Sequence, residues 1–237
     1  MPLLDHFRPP LSESRHWESF HGLWAGEIVR QLNRGGLPHG YFAEAQVQIG
    51  GRVEIDVATF DGEDARPGTN GAVAVATWAP PAATMVLPAV FPDEIEVRVF
   101  ASSGGPTLVA AVELVSPANK DRPASRRAFA AKCAANLHAG IGLVVVDVVT
   151  ERLANLHDEM VALMNLGDEY RAPAGGLSAV AYRPGRTAAD GDRIETWCES
   201  LAVGRPLPTM PLALRGGDTV RLDLEAAYKE ARAASLL

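Results

Sequence analysis

The sequence predicts an α/β protein in which a mixed β-sheet is flanked by helices, and three features lead to this prediction. Apolar residues recur every three or four positions from Trp17 to Leu32, which is typical of an amphipathic helix. A mostly apolar run, residues 107–116, precedes an alanine-rich segment, residues 124–139, and a nearly continuous β-branched run, residues 141–149. This order of segments predicts a βαβ unit over 107–149 with parallel strands and a right-handed connection.

The composition is that of an ordinary globular protein, with 237 residues, 47% of them hydrophobic and 22% charged. We therefore expect a single α/β domain over residues 1–237, with a core at about 15–150 and a C-terminal elaboration at about 151–237. No membrane contact is expected, because the longest apolar run ends at Asp147, far short of the roughly 20 residues of a spanning helix. Residues 1–10 lack the apolar stretch of a signal peptide, so the predicted location is the cytoplasm.

The charge balance limits the kinds of partner. With 29 acidic and 22 basic residues the net charge is −7, which argues against a protein that coats nucleic acid by neutralising phosphates. Contact with nucleic acid is therefore expected only through a local site. The sequence leaves the oligomeric state open, a homodimer included.

The N-terminal part of the chain predicts an arm, a helix and a hairpin. The arm extends to Pro10, and the helix, with Ser12 or Ser14 as its cap, stops near Gly35. Two alternating runs, residues 45–49 and 52–60, then flank a pair of glycines, which indicates a β-hairpin. Glu54 and Asp56 share one face of the second run because side chains alternate along a strand.

The remaining elements follow from the same two periodicities. The apolar residues Ile95, Val97 and Val99 alternate with Glu94, Glu96 and Arg98. This alternation predicts a half-exposed strand with the three charged side chains on its polar face. The helix over 124–139 is expected to bury Phe129, Cys133 and Leu137. Beyond Thr150 we predict a strand at 178–182, a helix near 194–201, an extended segment at 206–214 and a terminal helix that starts near Asp223.

Two acidic residues in apolar strand segments are candidate metal ligands. Glu113 lies between Val112 and Leu114, where a buried charge is costly unless it is paired, and Asp56 has a similar setting. Two converging carboxylates suit a hard cation such as Mg²⁺. The alternative is that each acid faces solvent or pairs with a nearby arginine. Asp147 also interrupts an apolar strand, and we expect a structural ion pair with Arg126, Arg127 or Lys132.

Several sequence runs resemble the DUF4058 family of bacterial proteins. They include HWESFHGLWAGEIVRQLN, LPHGYFAEAQVQIG, VEIDVATF, VELVSPANK, FAAKCAANLHAGIGLVVVDVV and LAVGRPLPTMPLALRGG, so the resemblance covers nearly the whole chain. That family in turn resembles, more distantly, the Uma2-like group of PD-(D/E)XK proteins with a restriction-endonuclease-like fold. This resemblance implies a mixed sheet with flanking helices, one acid from the strand of Asp56, one from the strand of Glu113, and a lysine near the metal.

The lysine of this pattern departs from its usual place. Val115 stands two positions after Glu113, where the in-line lysine would be. In the Uma2-like group the lysine comes from the following helix, and Lys132 occupies that place, with Lys120 and Arg126 as rivals. Such a lysine would orient the attacking water, or deprotonate it as the neutral amine, and its ammonium form would stabilise the developing phosphorane charge.

The resemblance thus implies a nuclease-like, Mg²⁺-dependent phosphodiester hydrolase, with Asp56 and Glu113 as metal ligands and Lys132 as a third catalytic residue. The alternative is a catalytically inactive binding or assembly protein that keeps the fold and uses the same acids as structural pairs. The overall negative charge and the absent in-line lysine favour this alternative.

Overall fold

The structure, a computed structural model, describes residues 2–48, 94–102, 105–171, 176–187, 191–216 and 218–235. Within these ranges a six-stranded mixed β-sheet has helices packed on both faces, which confirms the predicted α/β class. The strands of this sheet lie side by side in chain order. They are β1 (Tyr41–Gln48), β2 (Glu94–Ala101), β3 (Thr107–Leu114), β4 (Gly142–Asp147), β5 (Ser178–Thr187) and β6 (Gly191–Ser200).

The described part of the chain also contains a smaller sheet and six α-helices. The small sheet pairs β7 (Thr209–Ala213) with β8 (Thr219–Asp223) in antiparallel orientation. The α-helices are α1 (Leu11–Ser14), α2 (Trp17–Gln31), α3 (Pro117–Asp121), α4 (Pro123–His138), α5 (Leu156–Leu163) and α6 (Leu224–Ala234). The Asp223 side chain caps α6 by accepting a hydrogen bond from the Ala226 backbone at 3.0 Å, so the terminal helix starts where the sequence predicts.

The predicted βαβ unit is present at the centre of the large sheet. β3 and β4 pair in parallel, and α3 and α4 connect them. The other neighbouring strands are antiparallel, so β1, β2 and β3 form a meander on one side and β4, β5 and β6 form one on the other. All six residues of β4 are buried, as expected for a strand that is covered on both faces.

One sheet face packs against α2 and α6. The predicted apolar positions of α2 are all buried: Trp17, Phe20, Trp24 and Ile28, with Leu32 just beyond the helix end. They belong to one cluster with alternate residues of the central strands, such as Val112 and Val144. The chain then turns at Gly35, whose φ of +118° lies in the region that favours glycine.

The opposite sheet face packs against α4 and α5. Phe129, Cys133 and Leu137 of α4 are buried there, as predicted, against Ala111 and Val145 among others. Because side chains alternate along β3, Glu113 shares this face with Ala111 and Val115. The strand periodicity therefore points the Glu113 carboxyl toward α4.

The helix predicted near residues 194–201 is wrong, since this segment is the strand β6. Ile194, Trp197 and Leu201 recur at helical spacing, but residues 191–200 pair with β5 in a continuous antiparallel register. Ile194, Thr196 and Trp197 are also residue types that favour strands. A ten-residue partner strand supplies the backbone hydrogen bonds, and this tertiary pairing outweighs the weak local helical pattern.

The N-terminal hairpin is covered only in part. Its first predicted strand overlaps β1, which pairs with β2 in antiparallel orientation. The second predicted strand, residues 52–60, lies outside the described residues, and so does Asp56.

His21 on α2 leads to a testable pH dependence. Its Nε2 lies 2.9 Å from the Leu114 carbonyl oxygen and its ring stacks on Trp17. Burial lowers the pKa of His21 from its usual 6.5 to about 4. Between these pH values the unfolded chain binds a proton that the folded chain does not, so His21 lowers the stability as the pH falls from about 6.5 to about 4.

We therefore expect the free energy of unfolding of the His21→Asn variant to depend less on pH, in the range below about pH 6.5, than that of the wild type. Relative to this variant, the wild-type free energy of unfolding should fall by about 3 kcal/mol between pH 6.5 and pH 4, which is the free-energy equivalent of the pKa change. Urea unfolding at a series of pH values measures the difference. The test compares how the free energy of unfolding changes with pH in the two proteins, and not its absolute value. Parallel pH profiles for the two proteins would contradict the prediction.

Candidate functional site

The candidate site lies on the sheet face that packs against α4. Glu113 is 2% exposed, and Glu96, directly opposite it in the β2 and β3 pairing, is 6% exposed. This pairing brings the two carboxyl groups close enough for each to influence the pKa of the other. Arg98, two residues along β2 on the same face, forms an ion pair with Glu96 through its Nε and Glu96 Oε1.

Lys132 reaches this carboxyl pair from α4. Its Nζ lies 3.0 Å from Glu113 Oε2 and 3.4 Å from Glu96 Oε2. The Lys132 side chain is 27% exposed and its ammonium lies 5.6 Å from the centre of the Phe129 ring. The ammonium thus sits where the buried carboxyl pair meets the edge of α4, and part of its side chain remains in contact with solvent.

The environment of each carboxyl group separates their pKa values. Burial raises the pKa of Glu113 well above its usual 4.5; the Lys132 ammonium opposes this rise and the charge of Glu96 adds to it. Burial acts in the same direction on Glu96, yet the pKa of Glu96 is lowered, because Glu113 hydrogen-bonds to it and Lys132 and Arg98 lie beside it. The surroundings therefore favour the protonated form of Glu113 and the charged form of Glu96.

One oxygen of this pair has no hydrogen-bond donor in the described part of the chain. This atom is Glu113 Oε1, which is buried. Such an atom is costly to bury unless a proton or a cation accompanies it. A hard cation takes oxygen ligands and accepts one or two carboxylates with water, so the Glu96 and Glu113 carboxyl groups suit Mg²⁺ as part of its ligand set. Among the described residues there is no cluster of three or more His, Cys, Asp or Glu side chains that would complete it.

The two rivals of Lys132 are engaged elsewhere. Lys120 is fully buried, and its Nζ lies 2.7 Å from Asp147 Oδ2 and 3.4 Å from the Val149 carbonyl oxygen. Arg126 Nε lies 2.6 Å from Glu159 Oε1 on α5. Of the three candidates, Lys132 is therefore the one that the structure places against Glu113.

Asp147 forms the expected ion pair, but with a different partner. Its partner is Lys120 and not Arg126, Arg127 or Lys132. The short helix α3, which precedes α4, places Lys120 beside the end of β4, and sequence distance does not indicate this proximity. Burial raises the pKa of Asp147 to about 6, although the Lys120 ammonium and the Val149 backbone N–H both lower it.

Glu96 is the site residue that sequence reasoning misses. Its alternation with Ile95 and Val97 is typical of a solvent-facing position, and only the pairing with Glu113 and the cover of α4 bury it. The available signal was that Arg98 lies two residues away on the same face, where it can neutralise a buried acid. Asp56, the predicted second ligand, lies outside the described residues.

Comparisons with known proteins identify no relative of this chain. No protein family model, no curated protein and no solved structure matches the chain. None of the helices in the described ranges has the length and apolar character needed to cross a membrane.

Proposed function

We propose that this chain is a Mg²⁺-dependent phosphodiester hydrolase, nuclease-like in mechanism, on a restriction-endonuclease-like core. The observation that carries the proposal is the contact of the Lys132 ammonium with the buried carboxyl group of Glu113, whose Oε1 has no donor among the described residues. The mixed sheet with helices on both faces agrees with the fold that the DUF4058 and Uma2-like resemblance implies.

Glu113 and Glu96 would hold the cation, together with Asp56 if the resemblance extends to its position. A bound Mg²⁺ would polarise a phosphoryl oxygen and lower the pKa of a water ligand. Glu113 lies on a central strand with its backbone fixed by two neighbours, so its carboxyl position is well defined. Since Glu113 Oε1 accepts no hydrogen bond within the described ranges, this oxygen could serve as the ligand atom.

Lys132 would position the attacking water and stabilise negative charge on the phosphoryl group. Its ammonium has three donors, and contacts to Glu113 and Glu96 hold it in place while part of the side chain stays in contact with solvent. Val115, in the position of the in-line lysine, is fully buried and cannot supply this function. The helix-borne lysine therefore replaces the in-line one in this proposal.

The experiment combines metal binding with cleavage. We expect calorimetry with Mn²⁺ to show one site per chain and supercoiled plasmid DNA to be nicked only with Mg²⁺ or Mn²⁺. Glu113→Gln, which preserves the shape of the side chain and removes its charge, should weaken Mn²⁺ binding and reduce nicking by at least about 100-fold. Lys132→Met should reduce nicking by about 100- to 1,000-fold and leave Mn²⁺ bound.

Exposed residues of α6 provide matched controls. Glu230→Gln and Lys229→Met make the same chemical changes on an exposed surface, and both should retain binding and nicking. A wild-type protein that neither binds Mn²⁺ nor nicks DNA would contradict the proposal.

The second candidate is a binding or assembly protein that keeps the fold without catalysis. The observation in its favour is that Lys132 and Arg98 already contact the two acids, as in a structural ion cluster. In that case Glu113→Gln and Lys132→Met should change the stability and nothing else.

A further inference from the structure

Among the strands that the structure describes, β6 lies at one edge of the large sheet. Of the described strands only β5 pairs with it, in a register that runs without interruption from Gly191 opposite Thr187 to Ser200 opposite Ser178. Ile194 and Trp197 are each 37% exposed, and Cys198 is exposed as well. β6 therefore presents a long, regular edge with apolar side chains to its surroundings.

β6 has few of the features that prevent an edge strand from pairing with another chain. Proteins commonly protect an edge with proline, lysine, a bulge or a very short strand. β6 has no proline or lysine, is ten residues long and pairs with β5 without a bulge. Its charges are of both signs. Arg193 lies on one half, next to Asp192 and 3.6 Å from Glu195 Oε1, and Glu199 lies on the other half, so these charges would select among registers instead of preventing pairing altogether.

We propose that β6 is a homodimer interface, in which a second copy of the chain pairs its own β6 in antiparallel orientation about a two-fold axis at Thr196. In this register Arg193 lies opposite the partner's Glu199, and Ile194 lies opposite the partner's Cys198. Opposite charges directly across a strand pair are stabilising, and the two-fold axis repeats each contact. The sheets of the two copies join into one continuous sheet.

Neighbouring registers are less favourable. An axis at Glu195 places two glutamates opposite each other, and an axis at Trp197 places Glu195 opposite the partner's Glu199. Like charges in these positions are destabilising. An axis at Ile194 avoids such contacts but pairs a shorter part of the strand. The register at Thr196 therefore combines the longest pairing with complementary charge.

Charge exchange tests the interface. We expect the wild-type chain to be a dimer in sedimentation equilibrium, and Arg193→Glu to raise the dimer dissociation constant about tenfold or more, because two attractive contacts become repulsive. The double variant with Arg193→Glu and Glu199→Arg should restore the wild-type constant. This double variant keeps the charge composition of the strand, so its recovery separates an interface effect from a local one.

Disulfide trapping tests the register independently. In a Cys198→Ser background, Thr196→Cys should form an intermolecular disulfide in high yield on oxidation, because residue 196 lies opposite itself. Glu195→Cys is the control, since its counterpart lies two residues away along the partner strand. Either of two results would overturn the proposal. One is a wild-type chain that is monomeric at about 100 μM. The other is a dimer whose dissociation constant does not change with Arg193→Glu and in which Thr196→Cys forms no intermolecular disulfide.

Discussion

Lys120→Met is expected to lower the free energy of unfolding by about 3–5 kcal/mol, because it leaves the Asp147 carboxylate buried without its countercharge. The Lys120 side chain has no exposed surface and that of Asp147 is 3% exposed, with 2.7 Å between Nζ and Oδ2. Lys120 Nζ also lies 3.4 Å from the Val149 carbonyl oxygen, so the same substitution removes a backbone contact. Denaturant unfolding at pH 8, where Asp147 is ionised in the wild type, measures the loss.

Two comparisons identify the cause of this loss. Lys229→Met, the same change on an exposed face of α6, should alter the stability by less than about 0.5 kcal/mol. Adding Asp147→Asn to Lys120→Met removes the unpaired charge and should recover most of the loss, because the amide oxygen of the asparagine would still accept the hydrogen bond from the Val149 backbone N–H. If Lys120→Met costs less than about 1 kcal/mol at pH 8, the ion pair does not stabilise the fold in this way.

The second large effect is expected for Gly142→Ala at the start of β4. A Cβ atom at Gly142 would overlap the Ala213 carbonyl oxygen and would lie 2.7 Å from the carbonyl carbon of the same residue. Both neighbours are backbone atoms of β7, so they cannot move away as a flexible side chain would. We expect a loss of about 3 kcal/mol or more, measured as a fall in the midpoint of thermal or denaturant unfolding.

Gly185→Ala on β5 is the matched control for this substitution. A Cβ atom there meets nothing within 4 Å, so the loss of chain entropy in the unfolded state is the main effect. The control should be neutral or more stable by up to about 1 kcal/mol. Equal stability of the two variants would mean that β7 does not pack against Gly142 as the structure has it.

Part of the candidate site follows from local sequence. A glutamate inside an apolar strand is conspicuous, and strand alternation places Glu113 on the side of β3 that α4 covers. Lys132 follows from the family resemblance, whereas its contact with Glu113 depends on how α4 crosses the sheet. Glu96 joins them through the antiparallel register of β2 and β3, which no local pattern specifies.

The same division applies to the fold. Periodicity alone located the helices α2, α4 and α6 and the two parallel strands β3 and β4, because one buried face of each element must be apolar. It failed for residues 191–200, where short-range helical spacing competes with a long partner strand. The sequence also suggested the wrong partners for Asp147, since Lys120 reaches that carboxylate from the separate helix α3.

For this protein, then, the sequence by itself determined which segments bury an apolar face, and with them the α/β class and the exceptional position of Glu113. Only the tertiary structure decided that Glu96 and Lys132 meet Glu113, that Lys120 neutralises Asp147, and that residues 191–200 form a strand. Burial depends mainly on the composition of one segment, whereas ion pairs and strand pairing require two segments to meet. Their partners are therefore set by sheet register and helix crossing, which involve residues far apart along the chain.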